Sequence, residues 1–156
     1  MFWVQKTLLF FHLIGLGLYV GFHAMTYLLN ARIYAARASG DGAEELALTR
    51  MLFGILLLAL WGLLLIIASG LGLAIIVGYG FFSTPWLTLK HLAFFAMIVN
   101  TVNVLFVMRL LGRELASVSG PPVPESVRDL VERRKPFGLF NEIMTGIIII
   151  AGVFRF

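Results

Sequence analysis

The sequence has no cysteine, which excludes disulfides, thiolate metal sites, iron–sulfur clusters, cysteine nucleophiles and covalent c-type haem attachment. Charge is scarce: Asp, Glu, Lys and Arg make up 13% of the 156 residues, against about 25% in soluble domains. Histidine is limited to His12, His23 and His91. There is no Pro-rich tail, no long linker and no stretch polar enough for a separate soluble domain. What is abundant is apolar side chain, with 60% hydrophobic residues and a mean hydropathy of +0.97. One domain's worth of residues with this composition has lipid as its solvent. Any metal or cofactor must then be held by His, Met, carboxylate, Lys or backbone groups.

A spanning helix needs about 20 mainly apolar residues. Four stretches meet that length, at about 7–29, 51–79, 85–108 and 137–155, and predict an all-α, integral membrane four-helix bundle in a single domain. The first stretch is a poor signal peptide, being too long, without a small-residue cleavage pattern and carrying two histidines. The second has no charge and at about 28 residues is long enough to tilt. Pro85 suits the first turn of the third. Nine of the twelve basic residues lie in the polar stretches 30–50 and 109–136, leaving only Lys6, Lys90 and Arg155 for the other side. This asymmetry predicts cytoplasmic basic loops, with both termini and the second connection outside, as in a multi-pass protein of the inner (plasma) membrane. The net charge of +4 follows from that topology and from anionic lipid, so nucleic acid is not needed to account for it. Gly120–Pro124 reads as a stiff turn and Glu125–Lys135 as a short amphipathic surface helix.

Ionisable groups inside a span are costly and point to function by default. In the first span, positions 12, 16, 19, 23, 27 and 30 follow the helical period and include His12, Tyr19, His23, Tyr27 and Asn30. His12 and His23 stand about three turns, roughly 16 Å, apart on one face, too far to share one iron and suited to two stacked sites. Neutral imidazole is a common axial ligand for haem iron, and bundles hold cofactors between facing helices. By depth, His91 on the third helix is a second axial candidate beside His12. Against this, Lys90, Met97, Asn100 and Thr101 share one face and His91 points about 100° away from it. Near the other end, His23 and Glu142, with Asn141 beside it, could pair and pass a proton; alternatively Glu142 bonds the backbone or Arg134. The second span offers no acid–base group, and its Gly62, Gly70, Gly72, Gly78 and Gly80, with Ala59, Ala68 and Ser69, allow close helix approach. Trp3, Tyr79 and Trp86 read as interfacial anchors.

The early histidine, Trp86-Leu87-x-x-Lys90 opening the third helix, Phe140-Asn141-Glu142-x-x-Thr145 opening the fourth, and the closing Arg155-Phe156 together resemble the HemJ family of membrane protoporphyrinogen IX oxidases, relatives of the CopD-type membrane domain. The resemblance covers all four helices in order. It implies a small bundle holding haem b with His12 at the axial position; beside it, the chain's own residues offer His91, His23 and Trp86 as further cofactor contacts, for one haem or two. Lys90 matches the family's lysine, and Lys90, Glu142 and Asn141 are the catalytic candidates. The implied activity is six-electron oxidation of protoporphyrinogen IX to protoporphyrin IX, with electrons passed to the respiratory chain. A cation such as Lys90 suits the propionates of a tetrapyrrole. The chain departs from the family at Ala24–Tyr27 (no Pro and arginine), at Asn100–Asn103 (no Tyr-His pair), at Met144 (no Pro) and in the additional His23. These changes touch substrate and ligand positions, so haem binding transfers better than the oxidase activity.

Two other classes are open to the sequence. One is a non-enzymatic membrane subunit or assembly factor, working as a homo-oligomer or beside a respiratory complex. The other is CopD-like metal transport, for which Met25, Met51, Met97, Met108 and Met144 are scattered rather than clustered.

Overall fold

A computed structural model of the chain describes residues 2–78 and 83–154, and within them every regular element is an α-helix. The order is α1 (Phe2–Ser39), α2 (Gly42–Gly54), α3 (Leu56–Val77), α4 (Pro85–Ser117) and α5 (Glu125–Phe154). Counting α2 and α3 together, four helices are long and apolar enough to cross a membrane. Tyr79, Gly80 and the closing Arg155-Phe156 lie outside the described residues.

The helices run well past the apolar stretches. The polar segments 30–50 and 109–136 are mostly helical, and only short connections around 40–41 and 118–124 are not. Asp41 starts α2, its carboxylate accepting the Glu44 N–H at 2.9 Å, as a good N-cap should. The second span is divided at Ile55, after Gly54, between α2 and α3. A glycine is a common place for a helix to break. The surface helix expected over 125–135 is the first part of α5 itself, which continues through Pro136. Proline there removes one N–H bond, but packing of both halves of α5 against α4 keeps the helix in one piece.

Two tight antiparallel pairs make the bundle, α1 with α3 and α4 with α5. The α1/α3 pair meets backbone to backbone, since a Cβ on Gly62 would lie 2.9 Å from the Gly15 carbonyl oxygen and 2.9 Å from the Tyr19 nitrogen. Close approach through small residues is how helices gain dispersion energy where lipid provides no hydrophobic drive. The α4/α5 pair is tied by amides: Asn100 Nδ2 donates to Asn141 Oδ1 and to the Phe137 carbonyl, both at 2.8 Å.

The larger core sits at the basic end. Ile33, Leu46, Leu52, Leu111, Val127 and Val131 from α1, α2, α4 and α5 are buried together there. That end projects beyond the apolar stretches, where water supplies an ordinary hydrophobic drive. A smaller cluster of Tyr19, Phe22, Ala59, Leu63 and Met97 lies within the spans. Around it the outward side chains are large and apolar, among them Phe10, Trp61, Ile75, Phe95 and Phe106, as a lipid-facing surface requires.

Candidate functional site

Residues buried along α1 are Gly15, Tyr19, Phe22, Thr26, Leu29, Ile33 and Ala36. At 100° per residue this inner face is centred roughly a quarter of a turn from the stripe expected in the sequence. Tyr27 therefore falls outside, 74% exposed, while His12 and His23 fall on the margins of the inner face. The shift has a physical origin: Gly15 must face α3 for the backbones to meet, and that contact sets the rotation of α1.

His12 turns towards α3. Its Nδ1 lies 3.1 Å from Ser69 Oγ, and the Nδ1–Cε1 edge of the ring stands over Gly70, where a Cβ would come within 3.4 Å of it. The Ser69 hydroxyl donates its one hydrogen to the Leu65 carbonyl a turn below, a common habit of serine in helices. Towards His12 its oxygen can then only accept. A neutral His12 thus carries its proton on Nδ1, and Nε2 holds the lone pair. The sequence had offered Ser69 only as a small packing residue; its role depends on the register of α3 against α1.

On α4, Leu87, Ala93 and Met97 are buried, so the inner face passes through Lys90. Lys90 is half-buried there. His91, half-buried, is rotated about 100° from that direction, and Trp86 is half-buried in the first turn of the helix. The fold thus brings together His12 and Ser69, with Lys90 on the inner face of α4.

Toward the basic end, His23 Nδ1 lies 3.5 Å from Glu142 Oε1 of α5, as the depth of the two residues suggested. The ring is held edge-on by Tyr19 and Phe22, with centroids at 4.8 and 5.3 Å. Arg134 is buried and donates through Nη2 to Asn30 Oδ1 at 3.1 Å. Asn141 is buried too, its amide engaged by Asn100 and, at 3.4 Å, by Thr101 Oγ1, which makes it a helix-pairing residue as well as a neighbour of Glu142. The two histidine sites are separate.

Among the described residues no group of three or more His, Asp or Glu side chains is placed to hold a metal ion. A porphyrin supplies four equatorial nitrogens itself, so it asks the protein for one or two axial ligands only. Met97, buried within the spans, accepts a hydrogen bond from Thr145 at 3.6 Å and belongs to the core. The chain matches no protein-family model, no curated protein and no solved structure, which leaves its own residues as the ground for a functional reading.

Proposed function

We propose that this chain is a multi-pass membrane haem b protein with a redox role, of the HemJ-like kind, with His12 as axial ligand. The observation that carries the reading is the Ser69–His12 hydrogen bond, which sets the imidazole as the Nδ1–H tautomer and presents Nε2 as a ligand. Metal-ligating histidines characteristically have their other nitrogen held in this way. The residues fit the group on two further counts. Lys90 stands by with a cation for a propionate. The two helix pairs approach each other mainly through side chains, which leaves the inter-pair seam as the place for a flat ring. When bound, haem b supplies a one-electron couple at iron. Ser69 then orients His12, Lys90 binds a tetrapyrrole carboxylate, and the surrounding apolar side chains exclude water. Oxidation of protoporphyrinogen IX, with electrons passed to the respiratory chain, is the specific reaction we assign.

Detergent-purified protein is expected to show a Soret band that sharpens with dithionite, at about one haem per chain. His12→Ala should abolish the band and Ser69→Ala should weaken haem retention, by about tenfold to a hundredfold as for other outer-shell partners. A colourless protein after supplementation with haemin would overturn the reading. Porphyrin fluorescence appearing from added protoporphyrinogen IX tests the reaction itself.

We also assign both termini to the outside of the plasma membrane, on the strength of the basic loops. The absence of cysteine makes a direct test simple. A single Ser83→Cys should react with a membrane-impermeant maleimide on intact cells, whereas Ser119→Cys should react only after lysis; the opposite pattern would reverse the orientation.

A further inference from the structure

A cavity of about 40 Å³ lies between the helix pairs towards the basic end, with His23, Thr26, Thr101, Arg134 and Asn141 among its walls. Three buried polar atoms on those walls have no hydrogen-bond partner: His23 Nε2, Thr26 Oγ1 and Arg134 Nε. Thr26 is 6% exposed and Arg134 is 4% exposed, so bulk water does not reach them freely. A buried donor or acceptor left unpaired is costly, and three of them on residues around one void call for a partner. The void is large enough for water, which needs roughly 10–15 Å³ by the same measure and two to four polar partners.

Charge decides between water and an anion. Arg134 brings one positive charge to the chamber and Glu142, behind His23, brings one negative charge. Tyr19 is the other titratable group on α1 at this depth. The walls from α2, α3 and α4, such as Leu52, Ala59, Leu63 and Val104, carry no titratable group. With His23 neutral the site is balanced, so its occupant is neutral.

We infer that the chamber is a hydrated proton-exchange site, in which two or three ordered water molecules bridge His23 Nε2, Thr26 Oγ1 and Arg134 Nε, and His23 passes protons between that water and Glu142. In the forward step an excess proton carried by the chamber water from solvent passes to Nε2, leaving the water neutral, while the Nδ1 proton goes to the Glu142 carboxylate. No electron moves, and the ring changes tautomer. The edge-on contacts of Tyr19 and Phe22 keep one ring nitrogen on each side throughout. The inference stands on the His23 end of the molecule and does not require haem at His12.

The test is nitrogen NMR of the full-length protein in lipid nanodiscs, with ¹⁵N-histidine and the three signals assigned by His12→Gln and His91→Gln. Wild-type His23 should show magnetisation transfer from water and exchange its ring proton far faster than the backbone amides of its own helix turn. Thr26→Val should remove the water transfer. Glu142→Gln should leave the water transfer in place and slow ring-proton exchange at least tenfold, with one tautomer frozen. Absence of water transfer in the wild type would show a dry cavity and overturn the inference, as would exchange unaffected by Glu142→Gln. An unchanged Soret band in Thr26→Val is expected, and separates this result from the haem assignment.

Discussion

Replacement of Glu45 by alanine is expected to destabilise the protein by about 3 kcal/mol or more, the scale for breaking a buried ion pair from one side. Glu45, on α2, is 1% exposed. Its Oε1 accepts from Arg37 Nε of α1 at 2.8 Å and from Arg128 Nε of α5 at 3.0 Å, and its Oε2 accepts from Arg128 Nη2 at 2.7 Å. One carboxylate thus ties three helices together at the basic end, and the Arg128 contact is the two-pronged kind that is strongest. Removing it leaves two guanidinium groups, each about a quarter exposed, with only the longer contacts of Arg37 to Glu132 and of Arg128 to Glu125. Burial pushes the Glu45 carboxyl up, but the hydrogen bonds and charges of Arg128 and Arg37 outweigh burial and hold it below its ordinary value of 4.5. A folded value below the unfolded one means that the stabilisation is fully present above pH 4.5 and is lost as the pH falls towards the folded value. Thermal unfolding in detergent, followed by tryptophan fluorescence, should therefore show a midpoint that drops on acidification below pH 4.5. Glu45→Gln should lower the midpoint at neutral pH and flatten that dependence. A Glu45→Gln protein as stable as the wild type at pH 7 would show that the arginines are satisfied by water instead.

The second large effect is expected at Gly62. Alanine is intrinsically better than glycine in a helix by about 1 kcal/mol, so Gly62→Ala would be stabilising if propensity ruled. Here the added Cβ meets the Gly15 oxygen and the Tyr19 nitrogen at 2.9 Å. These are backbone atoms of the neighbouring helix, and they yield only if α1 and α3 move apart. Overpacking of this kind is destabilising by about 1–3 kcal/mol, and Gly62→Leu should exceed that. Ser69 lies two turns along the same face of α3, so separation of the pair should also loosen the Ser69–His12 bond and lower haem retention. Gly17→Ala, where nothing lies within 4 Å of the new Cβ, is the control and should be neutral or mildly stabilising. Equal unfolding midpoints for Gly62→Ala and Gly17→Ala would mean that the helices are not in backbone contact.

Much of the architecture was legible in the residues, because lipid is an undemanding solvent to read. Runs of apolar side chain longer than the bilayer core have one regular solution, the helix that satisfies its own backbone. The pairing of His23 with Glu142 was likewise legible, since two ionisable groups at one depth have few other partners. The basic segments were harder. Apart from the helix expected over 125–135, their polar composition reads as connection, yet most of 30–50 and 109–117 is helix too, where Leu46 and Leu111 join Val127 and Val131. Those residues are spaced among charges, and only their convergence from three helices, with Ile33 of α1, makes them a core. Glu45 escaped notice for the same reason: in sequence it is one acidic residue in a polar stretch.

By itself, then, the sequence determined four membrane-length helices, the segregation of positive charge to one end, the exclusion of cysteine chemistry, and His12, His23, Lys90 and Glu142 as the residues to explain. Each follows from composition and one-dimensional period, which survive without knowledge of neighbours. Only the tertiary structure decided the rotation of each helix about its own axis. That rotation follows from which small residues let two backbones touch, and it placed Ser69 under His12, turned Tyr27 outward, and aimed His23, Thr26 and Arg134 into one chamber. Contacts between helices depend on register and angle together, and neither is written in the period of a single helix.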